Sequence, residues 1–124
     1  MSKSKGVLKK KSLKFAIRIV KLYQYLSDKK REFVLSKQVL RSGTSVGAMI
    51  REAEHSESKA DFIHKMAIAQ KEINETLYWL ELLHETDYLE IVEYNSLNND
   101  ATELIKMITS TTKTTKKNLI NKKQ

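Results

Sequence analysis

Small residues dominate one segment of the chain, from Arg41 to Glu52, where the sequence reads RSGTSVGAMIRE. Apolar residues flank and enter this segment at the three- and four-residue spacing of a helix face. Two glycines inside a helix, here Gly43 and Gly47, cost roughly 1 kcal/mol each relative to alanine. Their i, i+4 spacing leaves a flat strip that favours the close approach of another helix backbone. The segment therefore predicts a helix-packing or subunit-contact face, formed by Arg41, Ser42, Gly43, Ser45, Gly47 and Glu52.

The composition restricts both the fold class and the chemistry. The chain has 124 residues, no proline and three glycines, which predicts one all-α domain. Because it has no cysteine, disulfides, a thiolate nucleophile and cysteine metal sites are excluded. Arg18 and Lys21 interrupt the best apolar stretch, so we predict neither a membrane span nor a signal peptide, and we expect a cytoplasmic protein.

Helical periodicity predicts four helices joined by short polar connections. The predicted ranges are 12–26, 33–55, 59–84 and from 89 onward. Short connections favour antiparallel neighbours, and the expected fold is an antiparallel up-down-up-down four-helix bundle. We divide the chain into a basic, disordered N-terminal arm (1–11), the bundle (12–112) and a basic C-terminal tail (113–124), and we expect fraying from Thr109 onward.

The first predicted helix has two apolar stripes, although a surface helix needs only one. One stripe consists of Phe15, Ile19, Leu22 and Leu26, and the other of Leu13, Ala16, Ile17, Val20 and Tyr23. Two stripes indicate burial against the bundle and also against something outside it.

Charge is distributed unevenly along the chain. Residues 1–31 have a net charge of +10, residues 32–100 a net charge of −7 and residues 101–124 a net charge of +5, which gives +8 in total. Two basic ends favour a polyanionic partner, RNA or DNA. We assign phosphate contacts to the basic side chains of the first helix, namely Lys10, Lys11, Lys14, Arg18 and Lys21. The alternative is a protein-interaction scaffold whose positive ends are solvated and keep it soluble.

Two Glu-x-x-His pairs, Glu52–His55 and Glu81–His84, have the spacing of ligand motifs in di-iron carboxylate bundles. In consecutive antiparallel helices these pairs lie at opposite ends of the bundle, roughly 30 Å apart by helical rise. The GTSVG segment lacks the lysine of a phosphate-binding loop, and its serines and threonine have no histidine at a fixed nearby spacing. We expect no metal, no cofactor and no enzymatic activity.

Other polar and aromatic side chains have structural interpretations that compete with functional ones. Arg41 and Arg51 are expected to pair with Glu52, Glu72 or Glu75 of a neighbouring helix. Trp79 and Tyr78 could stack on bases, but their place in a helical stripe favours positions in the core or at an interface.

The run from Leu35 to Leu83 resembles a bacterial family known as four-helix bundle proteins, ribosomal RNA intervening-sequence proteins or S23 ribosomal proteins. The residues that carry the resemblance are Gln38, Arg41, Ser42, Ser45, Val46, Ile50, Glu52 and Ala53, then Asp61, Phe62 and Ile63, then Ala69, Glu72, Glu75, Trp79 and Leu80. Met49 departs from the pattern, since the family usually has asparagine at that position.

The resemblance implies a left-handed four-helix bundle that assembles as a homopentamer and has no established enzymatic activity. The intervening-sequence members of the family are encoded within inserts of large-subunit ribosomal RNA genes. A related branch with the same fold serves diversity-generating retroelements as an accessory protein that binds nucleic acid and the reverse transcriptase. The partners implied are further copies of this chain, RNA or DNA, and a reverse transcriptase or another protein, with no membrane partner.

Overall fold

Four α-helices make up the fold. The computed structural model describes residues 3–123 of the chain and the side chains of residues 6–121. Its helices are α1 (Lys3–Asp28), α2 (Leu35–Glu54), α3 (Lys59–Glu85) and α4 (Ile91–Lys123), and this part of the chain contains no strand. None of these helices is long and apolar enough to cross a bilayer. The prediction of an all-α chain with four helices is confirmed.

Helix α1 begins earlier than the sequence pattern predicts. It starts at Lys3 rather than at residue 12, so the expectation of a disordered arm is wrong for residues 3–11. Lysine is a good helix former, and Leu8, which is 2% exposed, attaches this segment to the core. Met1 and Ser2, which belong to the predicted arm, lie outside the described residues.

Helix α4 continues to Lys123, through the segment that was expected to fray. The positions that would continue its core-facing stripe are taken by Thr111 and Thr115, and both side chains are half-buried. Lysines close to a helix C-terminus also complement the helix dipole. Gln124, the last residue of the predicted tail, lies outside the described residues.

The core lies between the four helices, each of which packs against two others: α1 and α3 both contact α2 and α4. One predicted stripe of α1 faces the core along its whole length, since Phe15, Ile19, Leu22 and Leu26 are all buried. The largest fully buried side chains of the other helices are Val39 of α2, Met66, Ile73, Leu80 and Leu83 of α3, and Leu97, Leu104 and Ile108 of α4.

Helices α1 and α2 approach each other closely at two glycines. A Cβ atom on Gly43 would lie 2.8 Å from Cγ1 and 2.9 Å from Cγ2 of Ile19, and one on Gly47 would lie 3.5 Å from the backbone oxygen of Ser12. Both glycines are buried inside the bundle of a single chain. The close helix approach predicted from the glycine spacing is the approach of α1 to α2 within one chain, because Ile19 and Ser12 of α1 lie against the two glycines. The strip is therefore not open to another subunit.

Polar contacts join α2 to α3. Arg41 Nη1 donates to Glu72 Oε2 at 2.9 Å, and Arg41 Nη2 donates to Glu75 Oε2. Next to this pair, Thr76 Oγ1 donates to Ser42 Oγ at 2.9 Å in a buried position. The ion pairing predicted for Arg41 is confirmed, and Ser42 is a packing residue inside the chain.

The connection between α1 and α2 contains a side-chain cap. The Glu32 carboxylate accepts hydrogen bonds from the backbone N–H groups of Val34, Leu35 and Ser36 at 3.1, 3.1 and 2.8 Å. Burial raises the pKa of the Glu32 carboxyl, but these hydrogen bonds outweigh burial, and the pKa lies below its usual range. The carboxylate satisfies N–H groups that have no partner within the first turn of a helix.

We expect the substitution Glu32→Gln to lower the free energy of unfolding by about 1 kcal/mol near neutral pH. Because folding lowers the pKa of Glu32, its stabilising effect is complete above the unfolded pKa of about 4.3 and is lost as the pH falls through the lower, folded value. Urea unfolding at equal protein concentration, from about pH 7 down to about pH 3, measures the difference. The two proteins should converge towards acid pH, and a constant difference would show that the charge of Glu32 is not responsible.

Candidate nucleic-acid interface

Three lysines of α1 lie on its outward face. Lys10, Lys14 and Lys21 are exposed, and their i, i+4, i+11 spacing places them on one side of the helix. The opposite side buries Phe15 and Ile19 in the core. Within the described side chains, no carboxylate forms an ion pair with any of the three lysines. They are available to bind an anion.

The other two basic residues assigned to this surface face α4. Arg18 Nη1 donates to Asp100 Oδ2 at 2.7 Å, and Arg18 Nη2 donates to Glu93 Oε1 at 3.1 Å. Lys11 Nζ pairs with Glu103. These three carboxylates were not identified as partners from the sequence. The spacings of seven residues from Glu93 to Asp100 and three from Asp100 to Glu103 place them on one side of the fourth predicted helix. The five predicted residues therefore divide into three unpaired lysines and two cations neutralised by α4.

Two grooves between α1 and α4 accompany this surface. One is lined by Lys11, Lys14, Phe15, Ile17, Arg18, Asp100, Glu103 and Leu104. The other is lined by Arg18, Lys21, Leu22, Tyr25, Leu89, Glu90 and Glu93. Each groove thus brings basic groups of α1 together with two carboxylates of α4 or its preceding turn. A phosphate in either groove would meet both attraction and repulsion.

An apolar row runs beside the lysines on α1. Leu13 and Ile17 are each 47% exposed and Val20 is 38% exposed. Together with the half-buried Ala16 and Tyr23, these residues form the second predicted stripe. The stripe is not covered by the described residues of the chain, so α1 presents apolar and basic groups side by side.

The remaining residues of the predicted packing face make contacts within the chain. Ser45 Oγ donates to the backbone oxygen of Arg41 at 2.6 Å. Glu52 Oε1 lies 3.7 Å from Nζ of Lys65 on α3. Unlike the buried Gly43 and Gly47, Ser45 is bonded within α2 and Glu52, which is 57% exposed, makes a surface contact to α3.

Trp79 belongs to the ion-pair cluster between α2 and α3. Its Nε1 donates to Glu75 Oε2 at 2.9 Å. This hydrogen bond, opposed by burial and reinforced by Arg41, lowers the pKa of the Glu75 carboxyl below its usual range. Glu75 in turn raises the pKa of Arg41. The indole N–H thus has an intramolecular role, which favours the structural interpretation of Trp79 over base stacking.

In each Glu-x-x-His pair one side chain makes a local contact, Glu52 with Lys65 and His84 with residues just before and within the first turn of α4. His84 Nδ1 lies 2.9 Å from the backbone oxygen of Leu89, and the His84 ring stacks on Tyr94 with 4.8 Å between ring centroids. Over the described side chains, no three histidine, aspartate or glutamate residues converge as ligands for a metal ion.

These features define a class of protein, an all-helical four-helix chain whose first helix presents basic groups outward. The chain belongs to the 23S rRNA-intervening sequence protein family, whose model matches residues 5–110. A solved structure from Bacteroides thetaiotaomicron VPI-5482, described as a protein with unknown function from the S23 ribosomal protein family, is 57% identical. That match has a TM-score of 0.88 and covers 89% of this chain and 98% of the other. No curated protein matches the chain. The family resemblance is confirmed, and neither comparison indicates an enzyme.

Proposed function

We propose that this protein is a non-enzymatic nucleic-acid-binding protein that contacts the phosphate backbone through Lys10, Lys14 and Lys21. The observation that carries the proposal is that these three exposed side chains share one helix face and have no ion-pair partner among the described residues. Lysine contacts to phosphate release condensed counterions and do not read bases. Binding is expected to depend on salt and to be independent of sequence.

Self-association would multiply this surface, and we propose a homo-oligomer with the five subunits that the family resemblance implies. The exposed apolar row of Leu13, Ile17 and Val20 supports the assembly, because contiguous exposed apolar groups mark interaction surfaces. A long polyanion could then contact several subunits at once, which raises its apparent affinity. Light scattering gives the mass of the particle, and a stable monomer at micromolar concentration would contradict the assembly.

We also propose that the four helices run in antiparallel up-down-up-down order and that the bundle has a left-handed twist. Contacts between α2 and α3 support antiparallel neighbours, since the early residue Ser42 bonds to the late residue Thr76. The late residue Glu52 lies instead against the early residue Lys65. The handedness follows from the family resemblance.

Replacing Lys10, Lys14 and Lys21 with alanine tests the proposed function. The unmodified protein should bind labelled RNA and DNA of unrelated sequence in a fluorescence anisotropy titration. The triple variant should bind at least about tenfold more weakly at low salt. It should also reduce the slope of log K against log salt by roughly 2 to 3, at about 0.7 to 0.9 for each lost phosphate contact.

A matched control removes the same charge from other surfaces. Lys29, Lys37 and Lys71 are exposed, and their triple alanine variant should retain most of the affinity. Circular dichroism establishes that both variants are folded. The assignment to α1 is wrong if its variant binds like the unmodified protein, or if the control loses as much affinity.

A protein-interaction scaffold is the second candidate, and the exposed apolar row beside the lysines favours it. In that case the protein binds no nucleic acid even at low salt, and the row contacts a protein partner such as a reverse transcriptase. For either function we propose a cytoplasmic location.

A further inference from the structure

The C-terminal half of α4 has a second basic surface. After residue 103 the sequence contains six lysines and no acidic residue. Because α4 remains helical to Lys123, the i, i+7, i+11 spacing of Lys106, Lys113 and Lys117 aligns them along one side of the helix. All three are exposed. We call these three residues the α4 ridge.

We propose that the α4 ridge is the principal phosphate-binding surface for RNA or DNA, an inference that rests on the proposed function and deepens it. Within the described side chains, no ridge lysine forms an ion pair. A shallow groove beside the ridge is lined by Ile105, Lys106, Thr109, Ser110, Lys113 and Thr114. The polar groups of this groove are ammonium and hydroxyl groups, which suit phosphate and sugar oxygens.

The grooves along α1 differ from this one in their carboxylates. Asp100 and Glu103 line one α1 groove, and Glu90 and Glu93 line the other. The lining side chains give the first α1 groove three cations and two carboxylates, and the second two of each. Charges within about 8 Å of a bound phosphate are only partly screened at physiological salt, so these carboxylates offset much of the attraction. The α4 ridge groove has no carboxylate in its lining. The lysines of α4 should therefore contribute more to binding than those of α1.

Carboxylates lie in the groove next to the α4 ridge. Glu54 and Glu57 line this neighbouring groove, which shares Lys106, Ser110 and Thr114 with the ridge groove. Glu54 Oε2 already lies 3.6 Å from Nζ of Lys9, which offsets its charge. Lys113 and Lys117 are not part of that groove.

The helix dipole does not account for the α4 ridge. Cations stabilise a helix C-terminus, but the effect falls off within the last turn. Lys117 lies six residues before Lys123, and Lys106 and Lys113 lie further away. The three ridge lysines are therefore available for contacts outside the helix.

Nucleic acid suits the α4 ridge better than an anionic membrane does. A helix that binds in a membrane interface inserts a row of large apolar side chains. In the described C-terminal half of α4, Ile120 is the large apolar residue that is strongly exposed, at 57%. Hydroxyl groups occupy the surface between the lysines instead.

The test compares three triple alanine variants in the same anisotropy titration with labelled RNA: the α4 ridge (K106A/K113A/K117A), the α1 face (K10A/K14A/K21A) and the control (K29A/K37A/K71A). The α4 ridge variant should bind at least about tenfold more weakly than the unmodified protein and more weakly than the α1 variant. Its slope of log K against log salt should be shallower by roughly 2 to 3. Alanine maintains helix propensity, and glutamine replacements confirm the result if circular dichroism shows a loss of helix.

The outcomes distinguish failure of the α4 ridge from failure of the proposed function. If the unmodified protein binds RNA, the α1 variant weakens binding and the α4 ridge variant does not, the inference fails and the proposed function stands. If the unmodified protein binds no RNA at low salt, both fail. If the α4 ridge variant loses binding to phosphatidylserine vesicles but not to RNA, the surface is a membrane contact and the inference is overturned.

Discussion

Replacing Gly43 with valine is expected to lower the free energy of unfolding by about 3 kcal/mol or more. Even the first side-chain carbon would lie 2.8 Å from Cγ1 of Ile19, which is fully buried. Ile19 cannot swing away easily, because a β-branched side chain has one strongly preferred rotamer in a helix. Since a domain of this size is stabilised by about 5 to 15 kcal/mol, the loss is large. Urea unfolding followed by circular dichroism at fixed protein concentration measures it.

The other two glycines supply matched controls for Gly43. A Cβ atom on Gly47 would make contacts no closer than 3.5 Å, and one on Gly6 would meet nothing within 4 Å. Because alanine is favoured over glycine in a helix by roughly 1 kcal/mol, Gly6→Ala and Gly47→Ala should be neutral or stabilising. Adding Ile19→Ala to Gly43→Val should recover part of the loss. A Gly43→Val protein as stable as the unmodified one would contradict the packing of α1 on α2.

The second large effect is a gain of binding when the carboxylates facing α1 are neutralised. The variant E93Q/D100N/E103Q should bind RNA at least about tenfold more tightly at low salt, and its salt slope should steepen by roughly 2. The reason is that Lys11 and Arg18 lose their intramolecular partners and become available to phosphates. The cost in stability should be small, because all three carboxylates are at least 45% exposed and exposed ion pairs contribute little.

A control with the same change in net charge separates release of Lys11 and Arg18 from a general electrostatic effect. The variant E81Q/E85Q/D87N removes three exposed carboxylates near the end of α3. It should raise affinity by less than about threefold, since long-range attraction is screened. An equal gain in both variants would assign the effect to net charge, and no gain in either would show that the α4 carboxylates do not compete with phosphate.

Local sequence signals were sufficient to predict the positions of the two central helices, α2 and α3. The pattern predicted helices over 33–55 and 59–84, and α2 and α3 occupy Leu35–Glu54 and Lys59–Glu85. Apolar periodicity is a local property, and so is a cap such as Ser58, whose side chain accepts a hydrogen bond from the backbone N–H of Asp61 at 3.0 Å. The ends of α1 and α4 were missed because lysine and threonine segments have no apolar period, and tertiary contacts support helix there.

The ion pairs between α1 and α4 at the candidate site could not be predicted from local sequence signals. Lys11 and its partner Glu103 are 92 residues apart, and their contact depends on how α1 and α4 are rotated against each other. The glycine strip shows the same limit: its spacing predicted a close helix approach, but a spacing does not say which helix approaches. Only the fold shows that α1 of the same chain lies against Gly43 and Gly47.

The salt dependence of RNA binding by the unmodified protein tests the central claim most directly. Six lysines, those of the α1 face and the α4 ridge, are exposed and unpaired among the described residues. If they contact phosphates, log K should fall linearly with log salt with a slope of roughly −4 to −5, at about 0.7 to 0.9 per contact, for RNA of any sequence. Absence of binding at low salt, or an affinity that salt does not change, would contradict the account.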